Sequence, residues 1–269
     1  MEQLLETKKP FKRELMDGEG QYKKDKIVGK ILNRDYSQLP FLSYFITDLI
    51  NSSRLAEIFR LHSPNFVCFR QLEPVSIETT KLFFRLVEKI GNRFNFQPVK
   101  ILHFRSIKGV GSTEPLGKKQ NRDLFQVEPR KGQFGGREKF LKIILEFEDL
   151  VDGFHLSSSQ LEWINPLSEE FPKKIFIAST HSLSEVATAS KAHLILFSPI
   201  FDSKGRKGVG IKFLENVGKL HNGVMGLGGI NSPARIALLK KSSAVGFGSI
   251  SYFYRRPEGE FKNRGNGLE

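Results

Sequence analysis

Short apolar stretches alternate with amphipathic stretches along most of the chain after residue 40. The stretch FLSYFITDL, residues 41–49, is apolar or β-branched at most positions, which is typical of a strand that is buried on both faces. The next stretch, SSRLAEIFRLH, has apolar residues three and four positions apart, and this spacing predicts a helix with one apolar face. The alternation predicts eight strands: FLSYFITDL, NFVCFRQL, VKILHFRS, DGFHLS, KIFIASTHS, HLILFSPIF, GVMGLGGI and AVGFGSIS.

Helical patterns separate nearly all of these strands. In the clearest helix, SIETTKLFFRLVEKIGNRF, the predicted apolar face consists of Leu82, Phe83, Leu86, Val87 and Ile90. The pattern after the fourth strand, NPLSEEFPK, is weak. Parallel strands that are apolar on both faces need helices on both sides of the sheet. We therefore predict an α/β fold, a (β/α)8 TIM barrel, with a doubly wound open sheet as the alternative.

Three segments fall outside the alternation. Residues 1–40 form a polar extension, residues 107–137 form a long basic insertion after the third strand, and residues 254–269 form a polar, glycine-rich tail. The barrel itself is predicted over residues 41–253. Because the tail is too polar to pack as the eighth helix, we predict that residues 1–40 cover the flank of the barrel where that helix would lie.

Composition and charge narrow the classes of partner. The chain has 269 residues and a formal net charge of +13, which favours anionic partners such as phosphorylated metabolites or nucleic acid. A lysine-rich surface without such a partner is the alternative. The single cysteine, Cys68, cannot form a disulfide within the chain, and no apolar stretch is long enough to span a membrane. We expect a cytoplasmic protein without a membrane partner; the sequence does not indicate an oligomeric state.

Glycine pairs and hydroxyl residues lie near the ends of the last two predicted strands. Gly228 and Gly229 follow the seventh strand, and Gly248 and Ser249 lie at the eighth. In a TIM barrel these positions commonly bind phosphate through backbone N–H groups, and glycine allows an anion to approach the backbone. The sequence therefore predicts a phosphate site here, with ordinary turn glycines as the alternative.

A glycine-rich basic stretch follows the sixth strand. SPIFDSKGRKGVG contains Lys204, Arg206 and Lys207. A mobile cationic loop beside a phosphate site could close over a phosphate or pyrophosphate group and neutralise its charge. A solvated basic loop would have the same composition.

Several motifs together resemble a known family. FHLSSSQ, IASTHSLSEV, LILFSPIFDSKGRKGVG, VMGLGGI and VGFGSISYF occur in an order and spacing that resemble the thiamine phosphate synthase/TenI family. YFITD, FVCFRQL and VKILHFR look like its first three strands, so the resemblance covers residues 41–253 apart from the insertion. It implies a (β/α)8 barrel. Synthases of this family join hydroxymethylpyrimidine diphosphate to thiazole phosphate with the help of magnesium and release pyrophosphate, whereas TenI-type members move a proton to isomerise a thiazole phosphate.

The resemblance also implies roles for individual residues. Arg70, His181 and Lys204 would be catalytic. The two metal-binding carboxylates of the family are replaced by Phe104 and Gln160, so magnesium has little support and no other cofactor is indicated. The residues that would bind substrate or phosphate are Gly228, Gly229, Gly248, Ser249, Ser179, Thr180 and Arg105.

Several functions remain open from the sequence. The first is a divergent thiamine phosphate synthase-like transferase that acts on phosphorylated pyrimidine and thiazole metabolites. The alternatives are a TenI-like thiazole tautomerase and an inert barrel that binds a phosphorylated ligand. Nucleic-acid binding through Phe125, Phe134 and the lysines of the insertion is less favoured, because a basic loop explains the same residues. Cys68 and His155 are either packed or part of an active site, and packing is favoured for both.

Overall fold

A computed structural model describes residues 24–48, 51–71, 75–104 and 134–255. The insertion up to residue 133 and the tail from residue 256 lie outside these ranges. In chain order the elements are α1 Lys24–Leu32, β1 Leu42–Thr47, α2 Ser52–His62, β2 Phe66–Phe69, α3 Ile77–Arg93, β3 Val99–His103, α4 Phe134–Phe147, β4 Gly153–Leu156, a 3-10 helix Ser158–Trp163, α5 Ile164–Glu170, β5 Ile175–Thr180, α6 Leu183–Thr188, β6 Leu194–Phe197, α7 Phe213–Leu220, β7 Val224–Gly226, α8 Pro233–Leu239, β8 Gly246–Ser249 and α9 Ser251–Tyr254.

The eight strands close into one parallel barrel. Each strand pairs with the next in the chain, and β8 pairs with β1 through Leu42–Gly246 and Tyr44–Gly248. Closure confirms the predicted TIM barrel and excludes the open sheet. None of the helices in the described ranges is long and apolar enough to cross a bilayer.

Alternate residues of each strand pack on opposite sides of the barrel wall. In β1, Tyr44 faces an inner cluster, whereas Phe45 faces the outer layer beneath the helices. Both layers are mainly apolar, which explains why most of the strands lack alternating polar residues. The strand residues of the inner cluster are Leu42, Tyr44, Ile46, Phe66, Cys68, Val99, Ile101, Ile175, Ile177, Leu194, Leu196 and Met225.

The α3 helix forms as predicted, but its buried face is rotated. Ser76 caps the helix by accepting a hydrogen bond from the Thr79 amide. Phe83 stacks on Phe69 at a centroid distance of 4.3 Å, and Phe84 is buried beside it. Leu82, which we assigned to the apolar face, is 57% exposed. The buried face centres on Phe83 and Phe84, which turns Leu82 toward solvent.

The prediction for residues 1–40 is wrong in the part that the structure describes. The α1 helix does not cover the barrel flank. Its Ile27 and Ile31 are buried in the inner cluster with Leu42, Phe66 and other residues from the amino ends of the strands. The helix therefore closes the amino-terminal end of the barrel. Residues 1–23 lie outside the described residues.

Polar contacts hold α1 and the segment after it at this end. Lys24 forms a salt bridge of 2.8 Å with Asp152, directly before β4. Arg34 donates a hydrogen bond to the Ser190 carbonyl at 3.2 Å, and the Tyr36 hydroxyl donates to the carbonyl of His193. The flank is covered instead by α9, whose Phe253 packs on Phe45 and Phe247.

The α1 helix should contribute strongly to stability. Ile31→Ala removes a fully buried side chain from the inner cluster, so we expect a loss of about 3 kcal/mol in the free energy of unfolding. Chemical denaturation measures this loss, and Val28→Ala at a half-buried position of α1 is the control, with a smaller expected effect. Equal effects of the two substitutions would mean that α1 does not dock through Ile31.

Candidate active site at the carboxyl ends of the strands

Most of the sequence-predicted site residues that the structure describes lie near one end of the barrel. The carboxyl ends of the strands meet opposite α1, and we call this end the carboxyl mouth. Arg70 directly follows β2, Ser179 lies near the end of β5, and His181 directly follows β5. Lys204 lies in the loop after β6, and Gly228 and Gly229 follow β7. Arg105 lies outside the described residues.

The backbone after β7 has a conformation suited to binding an anion. Gly228 and Gly229 have φ angles of +90° and +69°. Among the described residues, no acceptor is hydrogen-bonded to the amide of Gly228, Gly229 or Ile230. Successive amides in such a turn can form an anion-binding concavity. We call residues 228–230 the glycine turn.

Close packing also explains the two glycines. A Cβ atom on Gly228 would lie 2.8 Å from Pro199 Cα, and one on Gly229 would lie 2.7 Å from Phe201 Cβ. Either distance is too short for a real contact, so the chain after β6 requires glycine at both positions. The positive φ angles and this packing support the turn interpretation. Because the amides of residues 228–230 have no acceptor among the described residues, phosphate binding here stays a prediction.

Gly248 and Ser249 contribute to the structure of the mouth. A Cβ atom on Gly248 would lie 3.0 Å from Leu196 Cδ2 inside the barrel, so this glycine makes room for core packing. The Ser249 hydroxyl donates to the Ile230 carbonyl at 2.7 Å and accepts from the Tyr252 amide at 3.1 Å. Its single hydrogen is therefore used, and Ser249 ties the chain after β8 to the glycine turn.

Arg235 belongs to this region and was missed by the sequence reasoning. It lies on α8, where its Nη1 donates to the Gly229 carbonyl. Its guanidinium also lies over the Phe201 ring at 5.0 Å from the centroid. The sequence feature that could have indicated its role is an arginine six residues after the glycine pair. It places a half-buried positive charge directly beside the glycine turn.

His181 is exposed at the mouth with one ring nitrogen anchored. Its Nδ1 lies 2.8 Å from the Ser198 carbonyl oxygen. A carbonyl oxygen only accepts, so Nδ1 carries a hydrogen, and in the neutral imidazole the lone pair is on Nε2. The backbone amide of His181 donates to Glu185 Oε2 at 2.5 Å. The imidazole is thus oriented so that Nε2 can accept a proton.

The structure does not bring the side chain of Thr180 to the mouth. Thr180 is fully buried, and its hydroxyl has no hydrogen-bond partner within the described residues. Adjacent strand residues point to opposite faces, and Ser179 faces the barrel interior through its bond to His155. The Thr180 side chain therefore lies in the outer layer.

The chain after β6 forms a hairpin. Ser203 and Arg206 exchange two backbone hydrogen bonds of 3.0 Å, with Lys204 and Gly205 at the tip at φ angles of +50° and +73°. Asp202 accepts a hydrogen bond of 2.7 Å from the Gly208 amide. Lys204 is exposed, and within the described ranges no acidic group pairs with it.

Arg70 supplies a positive charge at the opposite side of the mouth. Its side chain is half-buried after β2, and in the described part of the chain no acceptor is bonded to its guanidinium. The charge reaches the barrel interior, where it contributes, after burial, to lowering the pKa of His155. An uncompensated guanidinium in this position could bind an anionic ligand.

The interior below the mouth contains a polar chain. His155 Nδ1 lies 3.0 Å from the Tyr44 hydroxyl, and His155 Nε2 lies 2.8 Å from Ser179 Oγ. Burial raises the pKa of Cys68 to about 12, so this thiol is protonated and a poor nucleophile. Burial lowers the pKa of His155 to about 3, so the imidazole is neutral.

The residues at the family's metal positions do not fit a magnesium site. Phe104 packs between Phe140 and Phe154, at centroid distances of 4.8 and 5.2 Å. Gln160 Oε1 accepts hydrogen bonds from the Ser157 amide and hydroxyl at 3.0 and 2.9 Å. In the described ranges, no three His, Cys, Asp or Glu side chains are grouped to hold a metal. We derive no chemical step through a metal.

Comparisons with known proteins identify the fold. No protein-family model matches the sequence, and no curated protein matches it. Among solved structures, a thiamine phosphate pyrophosphorylase from Pyrococcus furiosus is similar at 17% identity, with a TM-score of 0.53 over 81% of this chain and 88% of that protein. The (S)-3-O-geranylgeranylglyceryl phosphate synthase from Thermoplasma acidophilum, in complex with sn-glycerol-1-phosphate, is similar at 12% identity, with a TM-score of 0.50 over 85% and 92%. Both neighbours are TIM-barrel enzymes, and the likeness shows a shared fold.

Proposed function

We propose that this protein is an enzyme of thiamine metabolism that binds a thiazole phosphate at the carboxyl mouth and isomerises it by moving a proton. The phosphate binds the amides of the glycine turn, with Arg235 supplying positive charge beside them. Three unpartnered amides in sequence and a neighbouring guanidinium support this assignment.

The main support for the proposal is that His181 and the glycine turn both contact the Ser198–Pro199 segment. His181 bonds the Ser198 carbonyl, and the next residue, Pro199, lies against Gly228 so closely that a Cβ atom there would clash. A ligand whose phosphate occupies the glycine turn is therefore held near the imidazole. His181 Nε2 takes a proton from one carbon of the ligand, which forms the imidazolium, and returns a proton at another position. Histidine is the side chain that most often acts as a general acid and base.

A synthase-type condensation is the second candidate. Arg70 and Lys204 favour it, because two cations without acidic partners in the described residues could bind the departing diphosphate of a pyrimidine substrate. The absence of carboxylates at Phe104 and Gln160 weighs against a family-type mechanism. An inert ligand-binding barrel is the third outcome. Nucleic-acid binding through the insertion concerns residues that lie outside the described ranges, except residues 134–137, which form the start of α4 rather than part of a loop.

One set of assays separates these candidates. Purified protein is incubated with the thiazole phosphate precursor alone, and separately with hydroxymethylpyrimidine diphosphate and thiazole phosphate, with and without magnesium. Isomerised thiazole phosphate supports the proposal, whereas thiamine phosphate and pyrophosphate support the synthase. Binding of thiazole phosphate without either product supports the inert barrel, and no binding contradicts all three.

The glycine turn can be tested by substitution. Gly229→Ala introduces a Cβ atom 2.7 Å from Phe201 Cβ at a positive φ angle, so the turn must shift and its amides lose their alignment. We expect thiazole phosphate to bind at least tenfold more weakly by calorimetry, as after the loss of about one charge-assisted hydrogen bond.

Gly205→Ala is the matched control for this substitution. Gly205 has a similar φ angle of +73°, but no atom lies within 4 Å of its Cβ position. The substitution therefore introduces the same backbone strain without the clash. Equal weakening by the two variants would argue that the glycine turn does not hold the phosphate.

A further inference from the structure

The polar chain inside the barrel connects three strands to the mouth. Tyr44 on β1 and His155 on β4 are buried, with exposed fractions of 0% and 1%. Ser179 on β5 is half-buried at the mouth. The bonds Tyr44 Oη–His155 Nδ1 and His155 Nε2–Ser179 Oγ therefore form a path from the apolar interior to the ligand-binding end.

The neutral state of His155 fixes how these bonds relate to each other. Burial, and secondarily the charge of Arg70, keeps its pKa at about 3. A neutral imidazole has one donor nitrogen and one acceptor nitrogen. Two arrangements are therefore possible. Either Tyr44 donates to Nδ1 and Nε2–H donates to Ser179, which is the direction toward Ser179, or Ser179 donates to Nε2 and Nδ1–H donates to Tyr44, which is the reverse direction.

The chemistry at the inner end favours the direction toward Ser179. If Tyr44 donates to Nδ1, the phenol hydrogen bonds a strong nitrogen acceptor at 3.0 Å. The Cys68 sulfur, 3.9 Å from Nδ1, is then not needed as an acceptor. In the reverse direction Nδ1 would donate to Tyr44, and the phenol hydrogen would turn to the sulfur of Cys68. Sulfur is a weak acceptor, so the first arrangement is more stable.

We infer that Tyr44 and His155 are positioning residues that hold the Ser179 hydroxyl as a hydrogen-bond donor aimed into the carboxyl mouth. With Nε2–H donating to Ser179 Oγ, the serine hydrogen is free for an acceptor atom of the ligand. Such an acceptor is a phosphate oxygen or an unprotonated ring nitrogen. The identity of the ligand rests on the proposed function, but the direction of the hydrogen bonds through His155 does not.

The direction can be measured in the ligand-free protein. Long-range proton–nitrogen correlation spectra of the 15N-histidine-labelled full chain distinguish the two tautomers, and the His155 signals are assigned from their loss in His155→Gln. We expect the Nε2–H tautomer at pH 7. An Nδ1–H tautomer or an imidazolium at this pH would overturn the inference, whether or not the protein binds thiazole phosphate.

Tyr44→Phe tests the role of the inner hydroxyl while retaining the ring. We expect the His155 nitrogen shifts to move toward a tautomer mixture and thiazole phosphate to bind about tenfold more weakly. Tyr36→Phe is the matched control, because the Tyr36 hydroxyl bonds a backbone carbonyl at the amino end of the barrel, and both readouts should stay at wild-type values. Unchanged His155 shifts in Tyr44→Phe would overturn the inference.

If the wild-type protein does not bind thiazole phosphate, the proposed function fails. The tautomer measurement still determines the direction of the hydrogen bonds from Tyr44 through His155 to Ser179.

Discussion

Replacing His181 with asparagine should lower the rate of the proposed thiazole phosphate isomerisation by about 10²–10⁴-fold, the usual contribution of a general acid or base. The amide nitrogen of asparagine can still donate to the Ser198 carbonyl that now binds Nδ1. The substitution therefore retains the local hydrogen bond but removes the nitrogen that would accept the proton.

The measurement pairs turnover with binding. Initial rates give the loss of activity, and calorimetry with thiazole phosphate shows whether the ligand still binds, which we expect because the glycine turn is unchanged. Ser182→Ala is the control, since it changes the next residue, a helix cap, without touching the imidazole. Wild-type turnover in His181→Asn would remove His181 from the mechanism.

The parallel sheet could be predicted because its strands are apolar on both faces, and its closure into a barrel because eight such strands alternate with helices. Tyr44 and Phe45 show the reason: adjacent residues of one strand both enter apolar layers, and a parallel sheet covered by helices provides two such layers. The positions of Gly228 and Gly229 could also be predicted, because the order of the strands alone places them at the carboxyl mouth.

The position of α1 could not be predicted from its pattern. Ile27 and Ile31 are four residues apart, which indicates one apolar face but not the surface that it contacts. The open end of the barrel and the uncovered flank are both apolar. The contacts of Lys24, Arg34 and Tyr36 with segments more than 100 residues away select the amino-terminal end.

The roles of the hydroxyl residues depend on partners that are distant in the sequence. Ser249 and Ser179 both lie where a phosphate ligand was predicted, but Ser249 donates its hydrogen to Ile230, and Ser179 bonds His155 from another strand. Thr180 points to the opposite side of the wall. A motif such as STHS gives the residue types at a strand end, whereas the register of the barrel decides which of them reach the mouth.

Buried histidines should make the protein strongly sensitive to acid. Burial lowers the pKa of His155 to about 3 and that of His193 to about 4, and the pKa of His221 is lowered as well. In the unfolded chain these groups titrate near pH 6.5. The native state thus binds fewer protons, so the stability that these groups contribute is complete above pH 6.5 and declines as the pH falls toward 4 and 3.

We expect His155 and His193 each to reduce the free energy of unfolding by roughly 3 kcal/mol between pH 7 and pH 4. Urea denaturation at several pH values in this range measures the decline, to which carboxylates also contribute. His193→Asn isolates one group, because the asparagine oxygen can accept the Phe176 amide hydrogen that now bonds Nδ1 but does not titrate. The variant should lose stability less steeply between pH 6.5 and pH 4. The same slope as wild type would mean that His193 takes up its proton over the same pH range in the folded protein as in the unfolded chain, which would contradict the lowered pKa.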